Sequence, residues 1–191
     1  MIAKPEAANG TSYALVKDVS FRDGVIEVDL AGQPAAAAFA GARGFIGIAF
    51  RVQDDGRYEY IYLRPTNGRA DDQVRRNHST QYSSYPDFDF ARSRREEYES
   101  YVDLQPGVWT KYKIEVEGRK ARPFVNGAEQ PCLIVNDLKL DPRGRRSRIV
   151  GRTGHRGLLF QSRDYRQVGG RGDPRFRDPR FRDHIDSALL N

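Results

Sequence analysis

Alternating tyrosines and an arginine are the first sign of a site that could do chemistry. Tyr58, Tyr60, Tyr62 and Arg64 occupy every second position, so in a strand all four side chains lie on one face. Aromatic rings can cover the apolar face of a sugar, and a guanidinium donates to hydroxyls or to a carboxylate. The same pattern also occurs where cross-strand aromatic pairs stabilise a sheet. Both interpretations are open, and Tyr60, Tyr62 and Arg64 are candidate saccharide-binding residues.

A second polar stretch covers residues 75–82 and reads Arg-Arg-Asn-His-Ser-Thr-Gln-Tyr. It combines donors, acceptors and one titratable imidazole, so His78 can serve as an acid or a base. A polar strand or loop with an exposed histidine is the simpler alternative. The candidate substrate-binding residues in this stretch are Arg75, Arg76, His78, Gln81 and Tyr82.

Carboxylates are also frequent between residues 71 and 99. A glycosidase needs two of them across the scissile bond, roughly 5–10 Å apart. Asp87 and Asp89 share a face at strand spacing, whereas residues 96–99 are typical of a solvated helix face. The candidate catalytic residues are His78, Asp87 and Glu97, and whether the chain is an enzyme stays open.

Period-two alternation predicts the strands that position these residues. In residues 44–52 it places Ile46, Ile48, Phe50 and Val52 on one face and Arg51 on the other. Short strands joined by polar turns predict an all-β, antiparallel two-sheet sandwich. Only residues 90–101 have weak helical character. The predicted strands are 24–30, 44–52, 58–64, 109–117, 121–125 and 132–135.

Charge divides the chain just after Leu140. Residues 1–140 carry 19 Lys and Arg against 20 Asp and Glu, whereas residues 141–191 carry 13 Arg against 6 Asp, a net charge of +7. We therefore expect one β-sandwich domain, residues 1–140, and an irregular, disordered Arg-rich tail, residues 141–191. Such a tail could bind nucleic acid, a function that depends on it entirely. We rank this alternative last and do not expect nucleic acid or a membrane as a partner.

Other features exclude several kinds of protein. One cysteine, Cys132, excludes an intramolecular disulfide and a cysteine-based metal site. No stretch approaches the roughly 20 apolar residues of a membrane helix. The first residues lack the apolar core of a signal peptide. The chain as read is therefore expected in the cytoplasm, unless a leader is missing.

Residues 21–29, 44–51 and 106–116 together resemble the concanavalin A-like, laminin G-like jelly roll. A Tyr-x-Tyr-x-Arg-Pro strand end at residues 60–65, followed by the polar stretch at 75–82, is similar to a bacterial group allied to the 3-keto-disaccharide hydrolase family. The resemblance covers about residues 11–140. It implies a jelly roll that binds an oligosaccharide or polysaccharide on its concave face, in a secreted or envelope protein. A glycoside hydrolase of that family's kind is the alternative.

Calcium is the one cofactor that the resemblance brings in, because some laminin G-like domains bind it through loop oxygens. Residues 54–56, Asp-Asp-Gly, and residues 71–72, Asp-Asp, could supply such ligands. Both sequences are also typical of ordinary turns. We favour the turns and predict no cofactor and no metal site.

The tail lacks the alternating strands with which a jelly roll should close. If the reading frame of residues 152–167 is moved forward by one nucleotide, the permitted codons spell Gly-Pro-Gly-Thr-Glu-Ala-Tyr-Phe-Ser-Ser-Leu-Val-Ile-Thr-Gly. That string resembles the closing strand of the family. Abundant Arg without Lys also suits GC-rich DNA read out of frame. We therefore predict a frameshift between Leu138 and Gly144, with the last strands missing or replaced by the tail.

Sequencing the gene around the codon for Leu140 tests this prediction. We expect a one-nucleotide change whose correction restores the family's closing strands. An intact frame, in a gene whose relatives share the Arg-rich tail, would contradict it.

Overall fold

The computed structural model describes residues 21–89 and 97–141, together with the backbone of four further strands. A seven-stranded sheet has the order β1-β2-β10-β4-β5-β6-β7, and a four-stranded sheet has the order β11-β3-β8-β9. All the pairs are antiparallel. The strands are β1 (Ala3–Ala7), β2 (Thr11–Leu15), β3 (Gly24–Ala31), β4 (Ile46–Val52), β5 (Tyr58–Leu63), β6 (Thr80–Tyr85), β7 (Glu99–Ser100), β8 (Thr110–Glu117), β9 (Lys120–Val125), β10 (Arg146–Arg152) and β11 (Gln161–Gly169).

Alternating apolar side chains from both sheets form a single core, which confirms the two-sheet prediction. The strand β3 is buried at every second residue, and so is its partner β8. Ile61 and Leu63 of β5 enter the same core from the other sheet. The core side chains of these elements are Ile26, Val28, Leu30, Ile46, Ile48, Phe50, Ile61, Leu63, Tyr112, Ile114 and Val116.

A β-bulge near the end of β4 changes the predicted faces of its last two residues. Val52 lies opposite Arg146 and Ala49 opposite Arg148, so β4 holds one residue more than β10 over this span. Arg51 has a φ of 52°, a conformation common at such bulges. Arg51 therefore turns inward and is fully buried, whereas Val52 packs with Ala49 and Tyr58 outside the main core. The sequence predicts the opposite for both residues because strict alternation does not anticipate the extra residue.

The buried Arg51 meets a carboxylate on the neighbouring strand. Its Nη1 lies 3.4 Å from Glu59 Oε2, and neither side chain is exposed to solvent. Glu59 Oε1 accepts a hydrogen bond from Tyr82 Oη at 2.7 Å and another from the Leu140 amide at 3.0 Å. Arg51 Nη1 also donates to the Leu140 carbonyl at 3.3 Å. The pair therefore ties β4, β5 and β6 to the segment that ends the domain predicted from the sequence.

Three short segments differ from their predicted structure. Residues 73–77 form a helix, α1 (Gln73–Asn77), whose first turn is capped by the Asp72 carboxylate. Of the segment predicted to be helical, 90–101, residues 90–96 lie outside the described residues. Its last residues contain the strand β7. Residues 132–135 make one isolated bridge, between Val135 and Ala121, rather than a strand.

The tail differs from the irregular segment that the sequence predicts, because it contributes two strands. The strand β10 lies between β2 and β4, and β11 pairs with β3. Pairing of this kind uses backbone N–H and C=O groups, so it does not require apolar alternation. Apart from Asp141 and these two backbones, the Arg-rich tail, on which the nucleic-acid alternative depends, lies outside the described residues. Within the part of the chain that is described, no helix is long and apolar enough to cross a membrane.

The charge pair in the core leads to a stability prediction. We expect Glu59→Gln to lower the free energy of unfolding by about 3 kcal/mol, because it leaves a buried guanidinium facing a neutral group. Adding Arg51→Met should recover part of that loss, since no buried charge then lacks its partner. Urea unfolding followed by circular dichroism measures both effects. Asp55→Asn, which breaks the exposed Asp55–Arg57 pair, is the control and should change little; an equal loss for both variants would contradict the prediction.

Candidate functional site

The outer face of the seven-stranded sheet, which points away from the core, carries the candidate tyrosines. Tyr58, Tyr60 and Tyr62 alternate with the core residues of β5, and Arg64 follows at the end of the strand. Their cross-strand partners on β6 are Tyr85, Ser83 and Gln81. The elements therefore bring Tyr60, Tyr62, Arg64 and Gln81 together on one face, as the alternation predicts.

Five aromatic rings form a continuous row along this face. The ring centroids of Tyr58 and Tyr85 lie 5.2 Å apart, and those of Tyr60 and Tyr62 lie 5.3 Å apart, and both pairs are stacked. Tilted contacts of 5.4 Å and 5.5 Å join Tyr58 to Tyr60 and Tyr62 to Phe45. Tyr58 and Tyr62 are each only 7% exposed. The buried rings of Tyr58 and Tyr62 thus stabilise the sheet by packing against their neighbours. Phe45, Tyr60 and Tyr85 are more accessible.

Two glycines allow the row to reach Phe45. A Cβ on Gly47 would lie 2.4 Å from the Ile61 carbonyl and 2.5 Å from Tyr62 Cα, so only glycine lets β4 pass this close to the tyrosine strand. Gly44, with a φ of +64°, has room for no side chain either, since its Cβ would lie 2.9 Å from Gln33 Cα. This tight backbone fixes the position of Phe45 beside Tyr62.

Arg64 connects the aromatic row to the polar residues. Its Nη2 donates to Tyr62 Oη at 3.0 Å and to Gln81 Oε1. Its Nη1 donates to the His78 carbonyl at 3.0 Å and lies 3.5 Å from Glu99 Oε1. The guanidinium carbon stands 5.6 Å from the ring centre of Phe45. These contacts hold the Arg64 guanidinium in one orientation.

Glu99 is a site residue that the sequence analysis set aside, because it assigned residues 96–99 to a solvated helix face. It belongs to β7, directly opposite Gln81 of β6, and its Oε2 pairs with His78 Nδ1. The Glu99 side chain is 5% exposed and that of His78 is 20% exposed. The acidic run suggests a helix face, but Tyr98, Val102 and Leu104 are buried at even spacing. That period-two signal would have predicted an extended segment.

Three buried polar atoms on β6 and β7 have no hydrogen-bond partner in the described part of the chain. They are Gln81 Nε2, Ser83 Oγ and Glu99 Oε1. Gln81 and Ser83 share the outer face of β6, and Glu99 faces Gln81 from β7. An unsatisfied buried group costs about 1–3 kcal/mol, so such groups usually meet water or a ligand. This cluster can therefore form hydrogen bonds with hydroxyl groups, which act both as donors and as acceptors.

The other predicted site residues lie outside this cluster of polar atoms. Tyr82 lies in the core, where burial raises the pKa of its hydroxyl and Glu59 accepts its hydrogen bond. The Arg75 Nε donates to Asn67 Oδ1 at 3.1 Å. Arg76 binds the Asp71 carbonyl at 3.0 Å and Gln73 Oε1 at 2.6 Å. Tyr82 therefore faces away from the cluster, and both arginines brace the helix and the turn before it.

The predicted carboxylates do not join the cluster either. Asp87 and Glu97 are exposed. Asp55 accepts hydrogen bonds from the Arg57 amide and guanidinium, which lower the pKa of the Asp55 carboxyl. Asp72 accepts the amide hydrogen of Arg75 at 2.8 Å. Among the residues described, no group of three or more His, Cys, Asp or Glu side chains could hold a metal ion.

Comparisons with known proteins identify the fold. No protein-family profile matches the chain, and no curated protein matches its sequence. Solved structures do match: galectin LEC-6 of Caenorhabditis elegans has a TM-score of 0.50 and 12% identity, over 86% of this chain and 99% of that chain. A variant of human galectin-16 has a TM-score of 0.50 and 14% identity, over 86% and 98%. The fold is a jelly-roll β-sandwich.

A carbohydrate-binding module of Bacillus subtilis is a further neighbour, with a TM-score of 0.49, 13% identity and coverage of 79% of this chain and 84% of that one. At these identities the likeness concerns the jelly roll as a fold. The relation to the 3-keto-disaccharide hydrolase group stays a prediction.

Burial of Tyr62 leads to a prediction about alkaline pH. Desolvation is the main cause that raises the pKa of its hydroxyl from 10.0 to about 12. The folded state then holds this proton more tightly than the unfolded state, so the free energy of unfolding should fall as pH rises from about 10 to 12. Tyr62→Phe should flatten that slope in urea titrations between pH 9 and pH 12. Tyr101→Phe, at an exposed ring, is the matched control; an unchanged slope in Tyr62→Phe would contradict the assignment.

Proposed function

We propose that this protein binds a saccharide on the outer face of the seven-stranded sheet, at the end where β5 meets Arg64. The observation that supports this most is the set of buried polar atoms on Gln81, Ser83 and Glu99 that form no hydrogen bond among the described residues, together with the fixed Arg64 guanidinium. One bound water can link a sugar hydroxyl to Gln81 Nε2 and to Glu99 Oε1. The ligand class is an oligosaccharide or a polysaccharide.

The accessible rim of this site has the chemistry that a sugar ring requires. Phe45, Tyr60 and His78 are each partly exposed, and they surround the buried floor of Tyr62, Arg64, Gln81 and Glu99. An apolar sugar face can lie on a ring while its hydroxyls reach polar groups. Galectins, which share the fold, and the resemblance seen in the sequence point to the same ligand class.

Glycoside cleavage is the second candidate function, and the His78–Glu99 pair is what favours it. A buried carboxylate that orients an imidazole is a suitable acid–base pair. A glycosidase of the usual kind needs a second carboxylate across the bond, and among the outer-face side chains described on β4 to β7 Glu99 is the only one. Binding without cleavage is therefore the function that the geometry supports best.

Substitution of Phe45 tests the binding proposal. We expect Phe45→Leu to weaken saccharide binding about tenfold, because the aliphatic side chain loses the ring face and the contact with Arg64. A glycan array identifies the ligand, and calorimetry measures the affinity. Phe124→Leu is the matched control, because Phe124 lies under the Lys113 ammonium, 4.0 Å from the ring centre, on the four-stranded sheet.

The outcomes separate the candidate functions. Binding that is weakened in Phe45→Leu and kept in Phe124→Leu supports the proposal, whereas equal affinities would contradict it. Release of reducing sugar that is abolished by Glu99→Gln would favour the hydrolase instead.

A further inference from the structure

Three arginines approach one another beside the proposed saccharide site. The carbonyl of Arg43 accepts a hydrogen bond from the Thr66 amide at 3.4 Å. The Arg75 Nη2 lies 3.4 Å from both the carbonyl and the hydroxyl oxygen of Thr66. Arg64 precedes Thr66 by two residues, and Asn67 joins Arg75 to the His78 carbonyl that Arg64 also binds. Thr66 and Asn67 thus connect the Arg43 backbone, the Arg75 guanidinium and the carbonyl that Arg64 binds.

The positive charge of this group exceeds the negative charge that faces it. Glu99 is 3.5 Å from Arg64, but among the described residues the Arg75 guanidinium binds neutral oxygens. Arg43 Nη1 is buried and has no acceptor among the described residues. Burial, followed by the charges of Arg75 and Arg64, lowers the pKa of Arg43. An anion next to Arg43 and Arg75 would reduce the repulsion between these positive charges. It would also accept the hydrogen bond that Arg43 Nη1 can donate.

The surplus charge lies next to the ring proposed to carry the sugar. Arg43 and Phe45 flank Gly44, a position with a left-handed backbone and no room for a Cβ. Phe45 in turn lies under the guanidinium of Arg64. A sugar on Phe45 therefore brings its substituents within reach of the arginine group.

We propose that the saccharide is acidic, and that its carboxylate or sulfate binds between Arg43 and Arg75. This inference rests on the proposed saccharide-binding function. Planar guanidinium groups match the oxygen geometry of a carboxylate or a sulfate and form charge-assisted hydrogen bonds with it. A neutral sugar would leave the Arg43 donor unused and the positive charge uncompensated.

Matched pairs of glycans in a calorimeter or on an array test this inference with the full chain. Polygalacturonate is compared with its methyl ester, and heparan sulfate with its desulfated form. We expect the acidic member of a pair to bind about tenfold more tightly, and the preference to weaken with added salt. Because the Arg-rich tail also attracts polyanions, the decisive variants are Arg43→Gln and Arg122→Gln. Arg122 pairs with Glu115 at 3.2 Å on the four-stranded sheet.

We expect Arg43→Gln to remove most of the acidic preference and Arg122→Gln to keep it. If the folded Arg43→Gln protein keeps the preference unchanged, another surface binds the acidic glycan and the inference is overturned. Equal binding of acidic and neutral glycans would overturn it while leaving the proposed function intact. Failure to bind any glycan would overturn both. Tighter binding of an RNA or DNA oligonucleotide, with the same dependence on Arg43, would replace the acidic saccharide with a nucleic acid.

Discussion

The pair between the Arg51 guanidinium and the Glu59 carboxylate, 3.4 Å apart within the core, determines the register on which the rest of the sandwich depends. A slip of β5 by one residue would expose Glu59 and turn its tyrosines inward. It would also leave the Arg51 charge buried without its partner, at a cost of about 3–5 kcal/mol. The same interaction that joins β4 to β5 therefore keeps Tyr60, Tyr62 and Arg64 on the outer face.

The two polar networks of the molecule differ in how completely they are satisfied. In the core, both carboxylate oxygens of Glu59 have protein partners, and the backbone of Leu140 takes part. On the outer face, Glu99 keeps one oxygen without a hydrogen bond, although its other oxygen pairs with His78. Unsatisfied polar atoms are unfavourable in a network that serves packing alone. In the core pair only Arg51 Nε lacks a hydrogen-bond partner among the described residues, whereas the outer face of β6 and β7 has three such atoms, on Gln81, Ser83 and Glu99.

Local alternation was enough to predict the sandwich, because the face of each strand follows from its neighbours in sequence. It placed Ile61 and Leu63 in the core and Arg64 outside. It failed at Arg51, because the extra residue that β4 holds against β10 changes the faces of the last residues of the strand. Glu99 was set aside and Arg43 was missed for a related reason: only the pairing of distant segments brings them to His78 and Arg64. The strands β10 and β11 were not predicted, because they pair through the backbone and lack the alternating apolar residues that mark the other strands.

The most direct test of the account is to map the bound saccharide on the protein by nuclear magnetic resonance. A titration of isotope-labelled full-length protein with the glycan that binds it best records which backbone amides change. The account predicts that the largest shifts occur at Phe45, Arg64, His78 and Gln81, with little change on the outer face of β8. Shifts confined to Lys111 and Lys113 of β8, with none around Arg64, would contradict it.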